Sequence, residues 1–575
     1  MKLRLNKLTA SLVMAGSVAA VVGCGGGGNP TLDVATPRAE VVTAAYKYAL
    51  TFVDAGTGLP ITDDLTVTLL GDAVTGDEVV DQDNASVKGK TFTVKNGVLL
   101  VAANFDKSTA KDVFTVIAGN RSAGWNESGQ QLTKTTSKVG DQVVTIKLTN
   151  TKPAAVAAVN ADTTLGLAMK VDALPAAAGG VITAAATAVA TASKDAKTAE
   201  GTTEPVGVAS VTFPAGVKAT NAAGAPINST AGVTVSVTKY SNNEVAALSA
   251  FPGGFVPSVT VPSTAPAGTI PAGTTADTGA FISGGFAQFN VTDNTTGQAL
   301  KTFDAPLTLK IDLPKGSKNL AGVDIVAGNT YPIWSFDQDT GKWVFETDGT
   351  VKEKTPVDPK NFEVEFTSTH LSYWNLDFYG STCTGNVAIT GRPTGDTRPL
   401  TIELVGVAGQ RFWRSGTISD SQLGLALYPQ GTLVNITVKD SKNKVVGSKT
   451  NMNLCATGQT VAVTLPTVTF APLTVNVTES CRDGVSGKRA TPASVYFYDN
   501  VARNWSSGYS GNGTLTLNGI ESGSTGTLYV YNRFTSSYIV TNNFAVNAPS
   551  TVNNVNLPSL ACTTGGQPIT GGQPI

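Results

Sequence analysis

The sequence predicts an all-β protein, with several β-sandwich domains in tandem behind an export signal and a flexible tether. Three observations carry that expectation. Short runs alternate apolar and polar residues with period two, and turn residues interrupt them every ten or so positions. Glycine is abundant (60 residues) beside Thr, Val, Ala and Asn, a mixture that favours strands and turns over helices. At 575 residues the chain exceeds what one hydrophobic core supports, so it divides into domains.

The first element is the signal, residues 1–23. Lys2, Arg4 and Lys7 precede a small, apolar run from Leu8 to Val22 that is short for a spanning helix, and Val21-Val22-Gly23-Cys24 follows. This resembles the lipobox of bacterial lipoproteins. The resemblance implies cleavage before Cys24, lipidation of its thiol and acylation of the new amino terminus. Several acyl chains, at about 0.8 kcal/mol per buried methylene, hold a protein on a bilayer almost permanently. Residues 24–37, with Gly25–Gly28 and Asn29-Pro30, read as the tether. No Asp follows Cys24, which by analogy with lipoprotein sorting favours the outer membrane, on its periplasmic or its outward face.

Residues 38–150 alternate in runs such as Leu65-Thr66-Val67-Thr68-Leu69 and Val113-Phe114-Thr115-Val116-Ile117, the pattern of a β-sandwich. The region resembles the transthyretin-like modules found beside carboxypeptidases and in surface adhesins. Residues 151–206 are rich in Ala, Thr and Gly. They read as a linker, partly helical over Ala184–Ala196, where alanine's propensity favours a helix.

Residues 207–380 carry the most ordered motifs: Phe213-Pro214-Ala215-Gly216, then Phe251-Pro252-Gly253-Gly254-Phe255, then Pro332–Trp343 (PIWSFDQDTGKW), then Thr369–Phe378 (THLSYWNLDF). Their order resembles a region of cartilage intermediate layer protein that also occurs in bacterial surface lipoproteins. That resemblance implies an extracellular β-sandwich with no catalytic residues to carry over. Trp334, Trp343 and Trp374 are expected in its core. The long Pro/Thr/Gly loop within Phe251–Thr278 is a further binding candidate on its length alone.

Three stretches, at Asp54–Gly58, Asp293–Gly297 and Asp337–Gly341, spell D-x-x-T-G between β runs. Asp accepts backbone hydrogen bonds two residues on and Gly takes the left-handed position, so the motif reads as a bulged hairpin turn. Calcium is the alternative, since Asp337 and Asp339 offer two carboxylates, but the ion needs six or more oxygens.

Residues 381–466 and 467–562 read as two copies of one disulfide-closed β-sandwich, Trp413 corresponding to Trp505 and Gly431-Thr432-Leu433 to Gly526-Thr527-Leu528. Cys383, Cys455, Cys481 and Cys562 allow three pairings. Their layout suggests Cys383–Cys455 and Cys481–Cys562, each closing a loop of roughly 70–80 residues. A zinc site needs close Cys pairs, and none occurs. Residues 563–575 contain TGGQPI twice and read as a disordered tail.

Composition and motifs exclude several functions. A net charge of −1 with 14% charged residues leaves no basic excess for nucleic acid. No haem or iron–sulfur spacing occurs, and no cofactor is expected. His370 is the one histidine, too few for metal hydrolysis, and no G-x-S-x-G elbow accompanies it. Ser368 and Ser372 lie roughly 7 Å along a strand from it, beyond hydrogen-bond reach. His370 is therefore expected to be structural, bonded to a loop backbone. Exposed aromatics beside arginine are the candidates for holding a glycan or an envelope protein: Arg411, Phe412, Trp413 and Arg414 in one copy, Arg503, Trp505 and Tyr509 in the other. The expected function is a non-catalytic, lipid-anchored envelope protein in surface architecture, adhesion or ligand binding. The alternative is an accessory or hydrolytic protein acting on extracellular polysaccharide, since a carboxylate pair needs no histidine.

Overall fold

The computed structural model describes residues 45–560 apart from 82–84, 96, 106–111, 135–139, 178–180, 184–187, 199–200, 222–223, 226–230, 339, 394–399, 419–421, 441–443, 468, 482–488, 501–503 and 533–537. Strand makes up 59% and helix 5%, so the protein is all-β.

Alternation builds the strands. Leu65–Leu70 (LTVTLL) buries every second residue, as does Val434–Lys439 (VNITVK), because successive side chains leave a strand on opposite faces. Three segments use these strands in one topology. In the first, Tyr46–Asp54 lies antiparallel to Val98–Ala103 and parallel to Gly140–Leu148; a facing sheet orders Thr91–Val94, Leu65–Leu70, Val113–Asn120 and Trp125–Thr133. In the second, Thr382–Thr390 takes the place of Tyr46–Asp54, between Gln422–Pro429 and a parallel Gln459–Ala462. In the third, Leu473–Cys481 does so, between Thr514–Leu517 and a parallel Thr551–Leu560. Their facing sheets repeat the same order. The frame common to the two C-terminal segments therefore also builds the N-terminal one, which lacks cysteine.

The central region is different. Its strands form one 12-stranded sheet that curls until Ala280–Asp293 and Ala299–Pro314 meet again through Val291↔Leu300 and Thr292↔Ala299. Ala280–Asp293 (AFISGGFAQFNVTD) is buried on both faces, one against an aromatic cluster and the other against an aliphatic core, so it does not alternate in sequence. A register shift between Ser283 and Gly285 bends it, with Gly285 at φ 125°.

The segment 151–206 departs from the linker expected. Leu167–Leu174 pairs with Val233–Tyr240 along its whole length and forms an outer strand of the central sheet. Helix lies at Pro153–Ala161, begun by a proline in its first turn, rather than over Ala184–Ala196. Ala188–Ala192 is instead a strand against Ala209–Thr212. Inter-strand hydrogen bonds in place outweigh alanine's few tenths of helix preference.

The three D-x-x-T-G stretches are turns. Asp54 accepts from the Gly56 N–H (2.8 Å), and Asp293 accepts from the Thr295 N–H (2.9 Å). In all three the threonine hydroxyl donates to the aspartate, and the closing glycine has φ of 69–70°. Each turn also meets another region. The Gly58 carbonyl accepts from the Tyr498 hydroxyl, Gly297 abuts Ser122, and the Gly341 carbonyl accepts from Thr115 and Gln131. The N-terminal module thus sits on the central sheet through one face. Its other face meets a tyrosine patch of the C-terminal module, Tyr496, Tyr498, Tyr529 and Tyr531 packing with Ala49, Val98 and Leu100.

Candidate functional site

The motifs of the central region are bonded to each other. The Trp343 indole stacks on Phe251 (5.0 Å between centroids) and donates to the Pro252 carbonyl, while Phe251 stacks on Phe255. Phe251-Pro252-Gly253-Gly254-Phe255 and the Asp337–Trp343 turn are therefore two halves of one core. The Trp334 indole donates to the Asp377 carbonyl, and Trp334, Trp343 and Trp374 are all fully buried. The long loop is folded over this core, its carbonyls at Ala276 and Pro257 accepting from the Tyr379 hydroxyl.

His370 ends the strand Asn361–His370, half-buried, with its ring 5.0 Å from that of Trp374. Its Nε2 lies 3.3 Å from Glu346 Oε1, so its side-chain partner is a carboxylate and not the loop backbone expected. The strand Lys342–Glu353 runs alongside and places Glu346 there. Burial raises the Glu346 carboxyl, but hydrogen bonds with His370 and Ser335 outweigh it and hold the group below the usual range. Ser335 donates to the same carboxylate oxygen at 2.5 Å. The order is serine, carboxylate, histidine, whereas a nucleophilic serine needs the imidazole beside it and the carboxylate behind. Ser368 is bonded to the backbone of His370, and Ser372 to the Phe336 carbonyl.

The aromatic candidates do not converge. Arg411 and Phe412, expected on an exposed loop, are buried at 1% and 0% exposure. Arg411 joins its module to the central sheet: its carbonyl accepts from the Ser283 N–H (2.7 Å), and its guanidinium donates to the Gly406 carbonyl (2.8 Å) and Asn243 Oδ1 (3.2 Å). Phe412 meets Phe255 edge-on, which makes one apolar core of the two regions. Trp413 and Arg414 are half-buried, and burial lowers the Arg414 guanidinium. Tyr509 lies half-buried under the Lys47 ammonium (4.8 Å). Arg503 and the Trp505 side chain lie outside the described residues, as do Cys24, Cys562 and the Cys481 side chain. Cys383 and Cys455 form a disulfide, their Cα atoms 5.8 Å apart.

Two charged groupings escaped the sequence reading. Lys239 is fully buried; burial pulls its ammonium down to about 8, with Asp312 and Asp377 pulling the other way. Its signal was available, since it continues the face of Val233, Val235 and Val237. Asp377 is fully buried and its carboxyl is pushed well up. Arg121, Glu127 and Lys301 meet at a cleft where the N-terminal module joins the central sheet, and no sequence pattern links them. Among the described residues, no group of three or more His, Cys, Asp or Glu is placed to hold a metal ion.

No protein-family model and no curated protein matches the chain. Among solved structures it is similar to the full-length RrgB pilus protein of Streptococcus pneumoniae, at 9% identity over 91% of this chain and 100% of that one, with a TM-score of 0.13. A minor pilin of Streptococcus agalactiae matches at 6% identity over 32% of this chain and 98% of its own, with a TM-score of 0.16. A putative adhesin of Bacteroides ovatus matches at 10% identity over 33% and 91%, with a TM-score of 0.13.

Proposed function

We infer that the protein is a non-catalytic envelope protein, held on the outer membrane by lipid at Cys24, that works in surface architecture or adhesion and captures a glycan or an envelope protein. One observation carries the non-catalytic part: Glu346 stands between Ser335 and His370, so the chain's single histidine activates no serine. Arg411, Phe412 and Trp413, which would have lined an exposed site, help build a core and a junction, which supports a scaffold. The lipobox supports the anchor.

The experiment is fractionation of cells expressing Cys24→Ala beside the native chain, with protease shaving of intact cells. The variant leaves the membrane fraction and the native chain stays. Retention of the variant would sink the anchor. A hydrolysis screen on extracellular polysaccharides tests the rest, since reducing-end release abolished by one carboxylate substitution would establish the polysaccharide-hydrolase alternative.

A further inference from the structure

The cleft between the N-terminal module and the central sheet has a volume of ≈ 480 Å³, within the roughly 300–1,000 Å³ of small-molecule sites. One wall is the turn from Gly119 to Ser122 with Glu127, and the other is the hairpin from Gly297 to Lys301 with Asn221. The walls meet where Gly297 abuts Ser122, and the Gln288 amide donates to the Glu127 carbonyl (2.8 Å), which fixes their spacing.

Its charges are unequal. Arg121 donates to Glu127 Oε2 (3.3 Å) and to Asn290 Oδ1 (2.9 Å), and Lys301 Nζ lies 3.7 Å from the same Glu127 oxygen. Two cations therefore share one carboxylate, leaving one positive charge in excess. Arg121 has only 8% of its side chain exposed, and its Nε has no hydrogen-bond partner among the described residues. A buried cation that is not fully matched is costly, and an anion entering the cleft relieves it. Lys301, a quarter exposed, is the cation such an anion reaches.

The rest of the lining narrows the ligand. Burial raises the Glu127 carboxyl, and Arg121 and Lys301 outweigh it, so Glu127 stays ionised and accepts hydrogen bonds. Phosphate, which brings more negative charge than the one excess cation balances and few hydroxyl donors, would meet that carboxylate unfavourably. An amine would meet two cations. A molecule bearing one carboxylate and several hydroxyls satisfies both walls, while the amides of Asn221 and Gln298, bonded to each other at 3.0 Å, line the rim. Among the described residues no aromatic ring lines the cleft, so recognition is by hydrogen bonds and charge rather than stacking.

We propose that this cleft binds an acidic sugar of the uronate class, its carboxylate on the Lys301 ammonium and its hydroxyls donating toward Glu127. The assignment takes the non-catalytic reading as its starting point and gives that reading a ligand.

Calorimetric titration of the purified full chain with glucuronic acid, glucose and inorganic phosphate tests it. Glucuronate binds saturably, glucose and phosphate bind at least about ten-fold more weakly, and Lys301→Ala costs about ten-fold where Lys301→Arg does not. Gln298→Trp, at an exposed position on the rim, blocks the cleft without touching a core, and unchanged melting curves show both variants fold. Phosphate or glucose matching glucuronate would overturn the proposal, and so would binding that survives both Lys301→Ala and Gln298→Trp. Glucuronate binding together with reducing-end release from a polyuronate upholds the cleft and sinks the non-catalytic reading. Absent binding with Cys24-dependent membrane retention sinks the cleft alone.

Discussion

The N-terminal module and the module of Cys383–Cys455 share a strand order but close it differently. In the first, the opening and closing strands pair in parallel from Tyr46↔Gly140 through Asp54↔Leu148, an unbroken ladder with no cysteine nearby. In the second, the same pairing runs only from Val387↔Gln459 to Thr390↔Ala462, and the disulfide joins the two ends of the module. The covalent staple stands where the ladder is short. The C-terminal module pairs from Leu473↔Thr551 to Cys481↔Leu560, a long ladder.

The largest effect expected follows from this contrast. Cys383→Ser with Cys455→Ser opens a loop of 72 residues and destabilises its module by about 4 kcal/mol in the chain-entropy model, read by denaturant unfolding. The N-terminal module, closed by its ladder alone, is expected to keep its stability under reducing agent, while the disulfide-closed module loses its own. A matching loss in the N-terminal module on reduction would break the comparison, and a loss below about 1 kcal/mol at Cys383–Cys455 would show that even the short ladder suffices.

The two junctions with the central sheet differ as well. The disulfide-closed module is joined by the buried Arg411, whereas the N-terminal module is joined by the glycine turns at Gly297 and Gly341 as well as by its own largely buried Arg121. Arg411→Met leaves the Gly406 carbonyl and Asn243 without their donor and is expected to cost about 3 kcal/mol, loosening the junction to limited proteolysis. Gly341→Ala puts a Cβ 2.2 Å from that of Thr115 at φ +69°, and is expected to cost about 2 kcal/mol. Adding Thr115→Gly to Gly341→Ala recovers the steric part, and no recovery would mean the φ strain alone decides.

Legibility in the sequence followed burial pattern. One-sided strands such as Leu65–Leu70 announced themselves by alternation, and the aspartate–glycine turns by their chemistry. Ala280–Asp293 was only partly visible, because a strand buried on both faces has no period. Ala188–Ala192 read as helix because propensity is local while its partner, Ala209–Thr212, is not. Arg411 read as surface because arginine is rarely buried, and only the Ser283 pairing shows otherwise. Arg121, Glu127 and Lys301 were invisible as a group, since contact between distant segments leaves no spacing to read.

The smallest effect concerns His370. A half-buried histidine–carboxylate contact contributes little, so His370→Ala is expected to cost less than about 1 kcal/mol at neutral pH. Its signature lies in the acid limb. Glu346 has its carboxyl held below the usual value in the folded protein, so the stability it contributes is present above the ordinary carboxylate pKa and is lost as pH falls through the folded value. Removing His370 takes away one of the two hydrogen bonds that oppose burial, so the folded value moves up and the loss begins at higher pH. Unfolding measured between about pH 3 and 7 should show the variant slightly below the native chain at neutral pH and the two curves converging toward acid as Glu346 takes up its proton, and Ser335→Ala should behave the same way. If the two curves instead separate most toward acid, the histidine does not act through the Glu346 carboxylate, and its place beside Glu346 has been misjudged.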